Sequence, residues 1–166
     1  MNYTNYFSIV LKRFERYYTV TPNVSYGGIL FDSDAVFSVH EDQTVLFKEN
    51  VMDYSNSIEH CLFKYEPELS VDGVRSIVEN FPVFSRELTN PSRYHKCTVI
   101  KVILVTDGFT SPQDEQFCTR MTKKFYFSKV HAFYLHGWTE GYLYIEDISH
   151  NNEYKNRRAG KSSYRI

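Results

Sequence analysis

Apolar and polar positions alternate with two periods along this chain, and the change of period marks the elements. Between Tyr6 and Tyr18, Phe7, Val10, Leu11, Phe14 and Tyr18 recur at helical spacing, with Lys12, Arg13, Glu15 and Arg16 on the other side; this predicts an amphipathic helix that ends before Pro22. Gly27-Gly28 then introduces a period of two: Ile29, Phe31, Ala35, Phe37 and Val39 are apolar, while Asp32, Asp34, Ser38 and His40 fall among them. That is the pattern of a half-buried strand. A turn at His40-Glu41-Asp42-Gln43, a strand from Thr44 to Phe47 and a third over Glu59 to Tyr65 complete an expected antiparallel meander.

The second half reads differently. Ser70 caps an expected helix over Val71 to Asn80, which Pro82 ends. Cys97 to Thr106 is apolar on both faces except at Lys101, as a central strand covered on two sides would be. Ser111-Pro112 followed by Asp114 and Glu115 is a strong helix start, with Phe117, Cys118, Met121 and Phe125 on one stripe. A strand from His131 to Leu135, a turn at His136-Gly137-Trp138 and a strand from Gly141 to Asp147 follow. The expected fold is α+β: a mixed sheet with an N-terminal antiparallel meander, a buried central strand at Cys97 to Thr106, and helices packed on the sheet. The 166 residues fit a single domain with enough core to need no disulfide or structural metal.

Composition adds rings and a charge split. Aromatic residues make up 17% of the chain, so much of the core should be ring-packed. Cys61, Cys97 and Cys118 are widely spaced and form no CxxC pair, which fits buried thiols in a reducing compartment. The start lacks the basic and long apolar regions of a signal peptide, and no apolar run approaches the ~18 residues of a membrane span; a cytoplasmic protein that does not enter the membrane is expected. All 20 acidic residues lie in residues 1–153 beside 14 basic ones, whereas residues 154–166 hold five basic residues and no acid. The body is thus near −6 and the tail near +5. An acidic body argues against a dedicated nucleic-acid-binding domain and leaves the tail, through Arg157, Arg158 and Lys161, as the place where nucleic acid would bind.

Candidate chemistry is sparse. Asp32 and Asp34, two apart on a strand, are expected to point the same way and could share a divalent cation; solvated carboxylates on the polar side of the strand are the plainer reading. Lys101 interrupts an apolar strand and must snorkel, pair with an acid or line a cleft. Trp138, Tyr142 and Tyr144, the tyrosines lying opposite Leu143 and Ile145, offer rings that either anchor a partner or pack under the first helix. Acids in the helix turn after Asp107-Gly108 would repel phosphate there. Gly160-Lys161-Ser162 lacks the earlier glycine of a P-loop, and His60, His95, His131, His136 and His150 are scattered without metal-ligand spacing.

From Tyr6 to Leu135, the order helix, three-strand meander, helix, strand, helix, strand resembles that of the restriction-endonuclease-like nucleases. Their core presents an Asp on one strand and an (Asp/Glu)-x-Lys signature on the next. Asp34 matches the first; the next strand reads Phe47-Lys48-Glu49 and the turn Glu41-Asp42-Gln43, so the signature is broken. The resemblance implies either a Mg-dependent nuclease using Asp34, Lys48 and Glu49, with Lys101 of the central strand as a further candidate for the same cleft, or a degenerate relative without activity. Val105-Thr106-Asp107-Gly108, the helix, Gly137-Trp138, and the tail with Tyr154, Asn156-Arg157 and Ala159-Gly160-Lys161 together resemble short bacterial proteins of unknown function, which imply an ordered tail but no activity. Three function classes follow: a non-enzymatic interaction protein that self-associates or binds a protein partner, which is the leading expectation; a nuclease-like protein; and a nucleic-acid-binding module using the tail.

Overall fold

The computed structural model describes residues 2–44, 51–89, 95–124, 130–131 and 138–149. Its architecture is α+β: one six-stranded mixed sheet in the order β1-β2-β3-β4-β6-β5, with helices on both faces. The elements are α1 (Tyr3–Phe14), β1 (Thr19–Tyr26), β2 (Ile29–Thr44), β3 (Val51–Tyr65), α2 (Val71–Leu88), β4 (His95–Thr106), α3 (Pro112–Lys124), β5 (Val130–His131) and β6 (Trp138–Asp147). β1, β2 and β3 form an antiparallel meander, β3-β4 and β4-β6 pair in parallel, and β5 closes antiparallel onto β6.

Two apolar clusters divide the sheet's faces. On one, Val74, Ile77, Phe81, Phe84 and Leu88 of α2 and Cys118 of α3 pack with Phe31, Leu62, Ile100, Val102, Leu104 and Leu143. On the other, Phe7, Val10 and Phe14 of α1 cover Ala35, Cys61 and Phe63. β4 lies between β3 and β6, as its apolar run predicts, yet from Cys97 to Leu104 only the even positions are buried; Lys101 and Ile103, on the α1 side, are half-buried.

The elements differ from the sequence expectation where a local signal is overruled. α1 starts at Tyr3, capped by Asn2, whose side chain accepts from the Asn5 N–H at 3.0 Å, and it stops at Phe14. β1, which the sequence reading misses, takes residues 19–26 through Pro22; on an edge strand the missing N–H costs little. The expected turn at His40 to Gln43 is strand, because β2 stays in register with β3 as far as Gln43 and, after a one-residue shift, pairs on to Thr44; the expected strand at Thr44 to Phe47 falls largely outside the described residues. α2 continues past Pro82 to Leu88. An interior proline costs about 3 kcal/mol. Beyond it, Phe84 and Leu88 are buried, and each such side chain returns roughly 1.5–3 kcal/mol. Trp138 belongs to the start of β6 rather than to a turn. At α3, Ser111 Oγ accepts from the Asp114 N–H at 3.2 Å, the cap expected there.

Candidate functional site

β1 and β2 reverse their faces together. Phe31 packs under α2 and Asp32 meets α1, yet Asp34, three residues after Phe31, is again on the α2 side with Leu62 opposite. A regular strand returns to a face only at even offsets, so one residue is out of alternation at Asp32-Ser33. Directly across, Asn23 has φ 52°, and Val20 and Val24 pack on opposite clusters. The expectation that Asp32 and Asp34 point the same way is therefore overturned, and the two cannot hold one cation between them.

Each carboxylate serves a different purpose. Asp32 accepts from the Tyr3 hydroxyl at 2.8 Å and from the backbone N–H of Tyr65 at 2.7 Å. It thereby satisfies an N–H just beyond Phe63, where the β2-β3 pairing ends. The Tyr3 ring stacks on Tyr65 at 4.1 Å, and the Tyr65 hydroxyl donates to Asp107. Asp34 is 1% exposed; its Oδ2 accepts from Tyr26 at 3.0 Å and meets His60 Nδ1 at 2.9 Å, while Oδ1 has no partner among the described residues.

The other polar group lies on the α1 side of the sheet, beside the helix. Glu59 on β3 pairs with Lys101 on β4 at 2.8 Å, accepts from the Tyr18 hydroxyl at 2.7 Å and is touched by the Cys61 thiol at 3.5 Å. Burial pushes the Glu59 carboxyl up, but hydrogen bonds from Lys101 and Tyr18 and the lysine charge outweigh it and hold the group below its ordinary value. Burial, then the neighbouring carboxylate, pushes the Cys61 thiol up, so it stays protonated and is a poor nucleophile. Tyr18 is raised by burial and its bond to Glu59. On β6, Tyr142 lies opposite Lys101 in register and Tyr144 opposite Ile103, the two rings stacked at 6.5 Å. Tyr142 donates to Glu140 at 2.6 Å, and that bond followed by burial pushes its phenol up to about 12. Tyr144 is also raised, first by burial.

The expected residues are thus separated. Asp34 is on the α2 side, whereas Lys101, Tyr142 and Tyr144 share the α1 side; Asp32 is on the α1 side, tied to Tyr3 and Tyr65. Lys48, Glu49, Arg157, Arg158 and Lys161 lie outside the described residues, as do the side-chain surroundings of Trp138. Among the described residues no three His, Cys, Asp or Glu side chains stand together to hold a metal ion, and no helix is long and apolar enough to cross a membrane. Sequence reasoning missed Glu59, Tyr18 and His60 as partners. Glu59 could have been found: an acid on the strand before a lysine-bearing central strand is a natural counter-ion for it.

Fold and site together define an α+β protein built on a mixed sheet, with an aromatic and ion-paired face beside its first helix. Residues 2–165 match the model of a family described as a domain of unknown function (DUF8052), and the chain belongs to that family. No curated protein and no solved structure matches it.

Proposed function

We propose that this is a non-enzymatic interaction module whose binding surface is the α1-side face of β4 and β6. The observation that carries it is the half-buried surface of Val99, Ile103, Tyr142 and Tyr144, of which only Ile103 joins the described apolar cluster of Ala35, Cys61 and Phe63 that α1 covers. Amphipathic rings at low entropic cost are the side chains that anchor protein partners. The neighbouring charges suit binding better than catalysis. Both Glu59 oxygens are engaged, Lys101 is paired and Cys61 is held neutral, so none of the three is poised to accept a proton or attack a substrate. The partner is a protein, either a second copy of this chain or another. Cross-linking in the native host should capture a partner with the wild type and lose it with Tyr144→Asp; capture that ignores Tyr142→Asp and Tyr144→Asp alike would sink the reading.

A nuclease-like reading draws on one observation, the acid and lysine side by side at Glu59 and Lys101, in a chain whose order of elements resembles that of the restriction-endonuclease-like nucleases. It needs a second carboxylate on the α1 side, where Asp32 is already engaged by Tyr3 and Tyr65. Incubation with DNA and Mg²⁺ or Mn²⁺ should give no cleavage. Cleavage abolished by Glu59→Gln or Lys101→Met would replace the interaction reading with this one.

A further inference from the structure

We propose that the edge of β2 from Phe37 to Thr44, unpaired among the described residues, pairs with the same edge of a second copy of this chain, joining two sheets across a two-fold axis. β1 pairs with β2 only as far as Thr19 opposite Val36, whereas β2 continues for eight more residues with β3 on its other side. Among the described residues no strand lies beside that stretch. Alternate residues of an antiparallel strand direct both N–H and C=O to the same side, so about half of these positions present backbone groups outward. Such an edge is a template for another strand.

The sheet's other edges are less suited to self-pairing. β1 carries Pro22 and is broken at Asn23, whose φ is 52°. β6 beyond Thr139 reads Glu-Gly-Tyr-Leu-Tyr-Ile-Glu-Asp, and its full-length antiparallel pairing with itself sets Glu140 opposite Asp147. Like charges directly opposite destabilise a pair. Phe37 to Thr44 contains no Pro, Gly, Lys or Arg. Its full-length self-pairing sets Phe37 opposite Thr44, Ser38 opposite Gln43, Val39 opposite Asp42 and His40 opposite Glu41, with no carboxylate opposite another. Self-complementarity of this kind is what a two-fold interface requires. The base of the edge also offers apolar surface where β1 stops. Phe37 is 36% and Tyr17 63% exposed, and the Phe37 ring lies 5.4 Å from that of Tyr18.

This pairing is independent of the β4-β6 face. Light scattering on the full chain across roughly 1–200 μM should show a monomer–dimer equilibrium. His40→Glu sets carboxylates opposite each other twice across the axis and should weaken the dimer roughly tenfold. Glu41→His alone should also weaken it, and the double exchange His40→Glu with Glu41→His should restore it, each variant melting as the wild type does. Amide exchange adds a readout without substitution, since alternate amides between Phe37 and Thr44 should slow as concentration rises. A wild type that stays monomeric, a dimer unmoved by His40→Glu, or a double exchange that fails to restore pairing would each overturn the proposal. Tyr144→Asp should leave the dimer intact, which separates this edge from the face proposed above.

Discussion

Asp34 has two donors converging on one oxygen while the other, also buried, has none among the described residues, and this asymmetry fixes what its removal should do. Tyr26, Asp34 and His60 come from β1, β2 and β3, so the carboxylate ties the three meander strands together on the α2 side. Tyr26→Phe removes one hydrogen bond and should cost about 1 kcal/mol. Asp34→Ala leaves two donors without their acceptor and should cost roughly 2–4 kcal/mol. In the Asp34→Ala background Tyr26→Phe should cost almost nothing; urea unfolding of the four proteins reads this coupling, and additive losses would mean that the pair does not act as a unit. Glu59 makes a second, pH-dependent case. Its folded-state value lies below the ordinary 4.5, so its stabilisation is fully present above that pH and is lost as pH falls through the lower folded value. The stability difference between wild type and Glu59→Gln should therefore be constant near neutrality and close below about pH 4.5; a gap that widens in acid would contradict the ion pair. Both acids sat in plain view in the sequence. Their roles did not, because alternation assigns faces only while a strand stays regular, and the slip at Asp32-Ser33 carries no residue signature of its own.

Among the elements, the legible ones are those with agreeing signals at both ends. α3 begins where Ser111, Pro112, Asp114 and Glu115 place it, and β4 is central because few other segments are as continuously apolar. β1 and the far half of α2 were hidden by proline, a local signal that tertiary contacts overrode. The Pro22 N–H is dispensable at an edge, and Pro82 sits on the exposed side of α2 while Phe81, Phe84, Ser85 and Leu88 are buried around and beyond it. Pro82→Ala should restore the missing helix bond and raise stability by roughly 1–3 kcal/mol, the upper figure being reduced by the greater freedom of the unfolded chain. Thermal melting compares the two proteins; a lower midpoint for Pro82→Ala would mean that the proline's bend is needed to seat Phe84 and Leu88.

At the scale of the whole molecule, the two halves of the charge distribution decide what the tail can do. Residues 154–166 carry five basic residues and the rest of the chain is near −6. A site on DNA using all five cations would give a salt slope of at most about −4.5, since each neutralised phosphate contributes about −0.9. The acidic body opposes even that by repelling the same phosphates, and the opposition is strongest at low salt, where screening is weakest. The full chain should therefore not retain duplex DNA at about 150 mM salt, a concentration at which dedicated nucleic-acid binders still hold their sites. Deleting residues 154–166 should leave that result unchanged. Retention with a slope near −4 that disappears with the deletion, or with Arg157→Ala and Arg158→Ala together, would instead make the tail a nucleic-acid contact. In that case the acidic body would keep the remainder of the chain away from the duplex, and the interaction face proposed beside α1 would stay available to a protein while the tail held DNA.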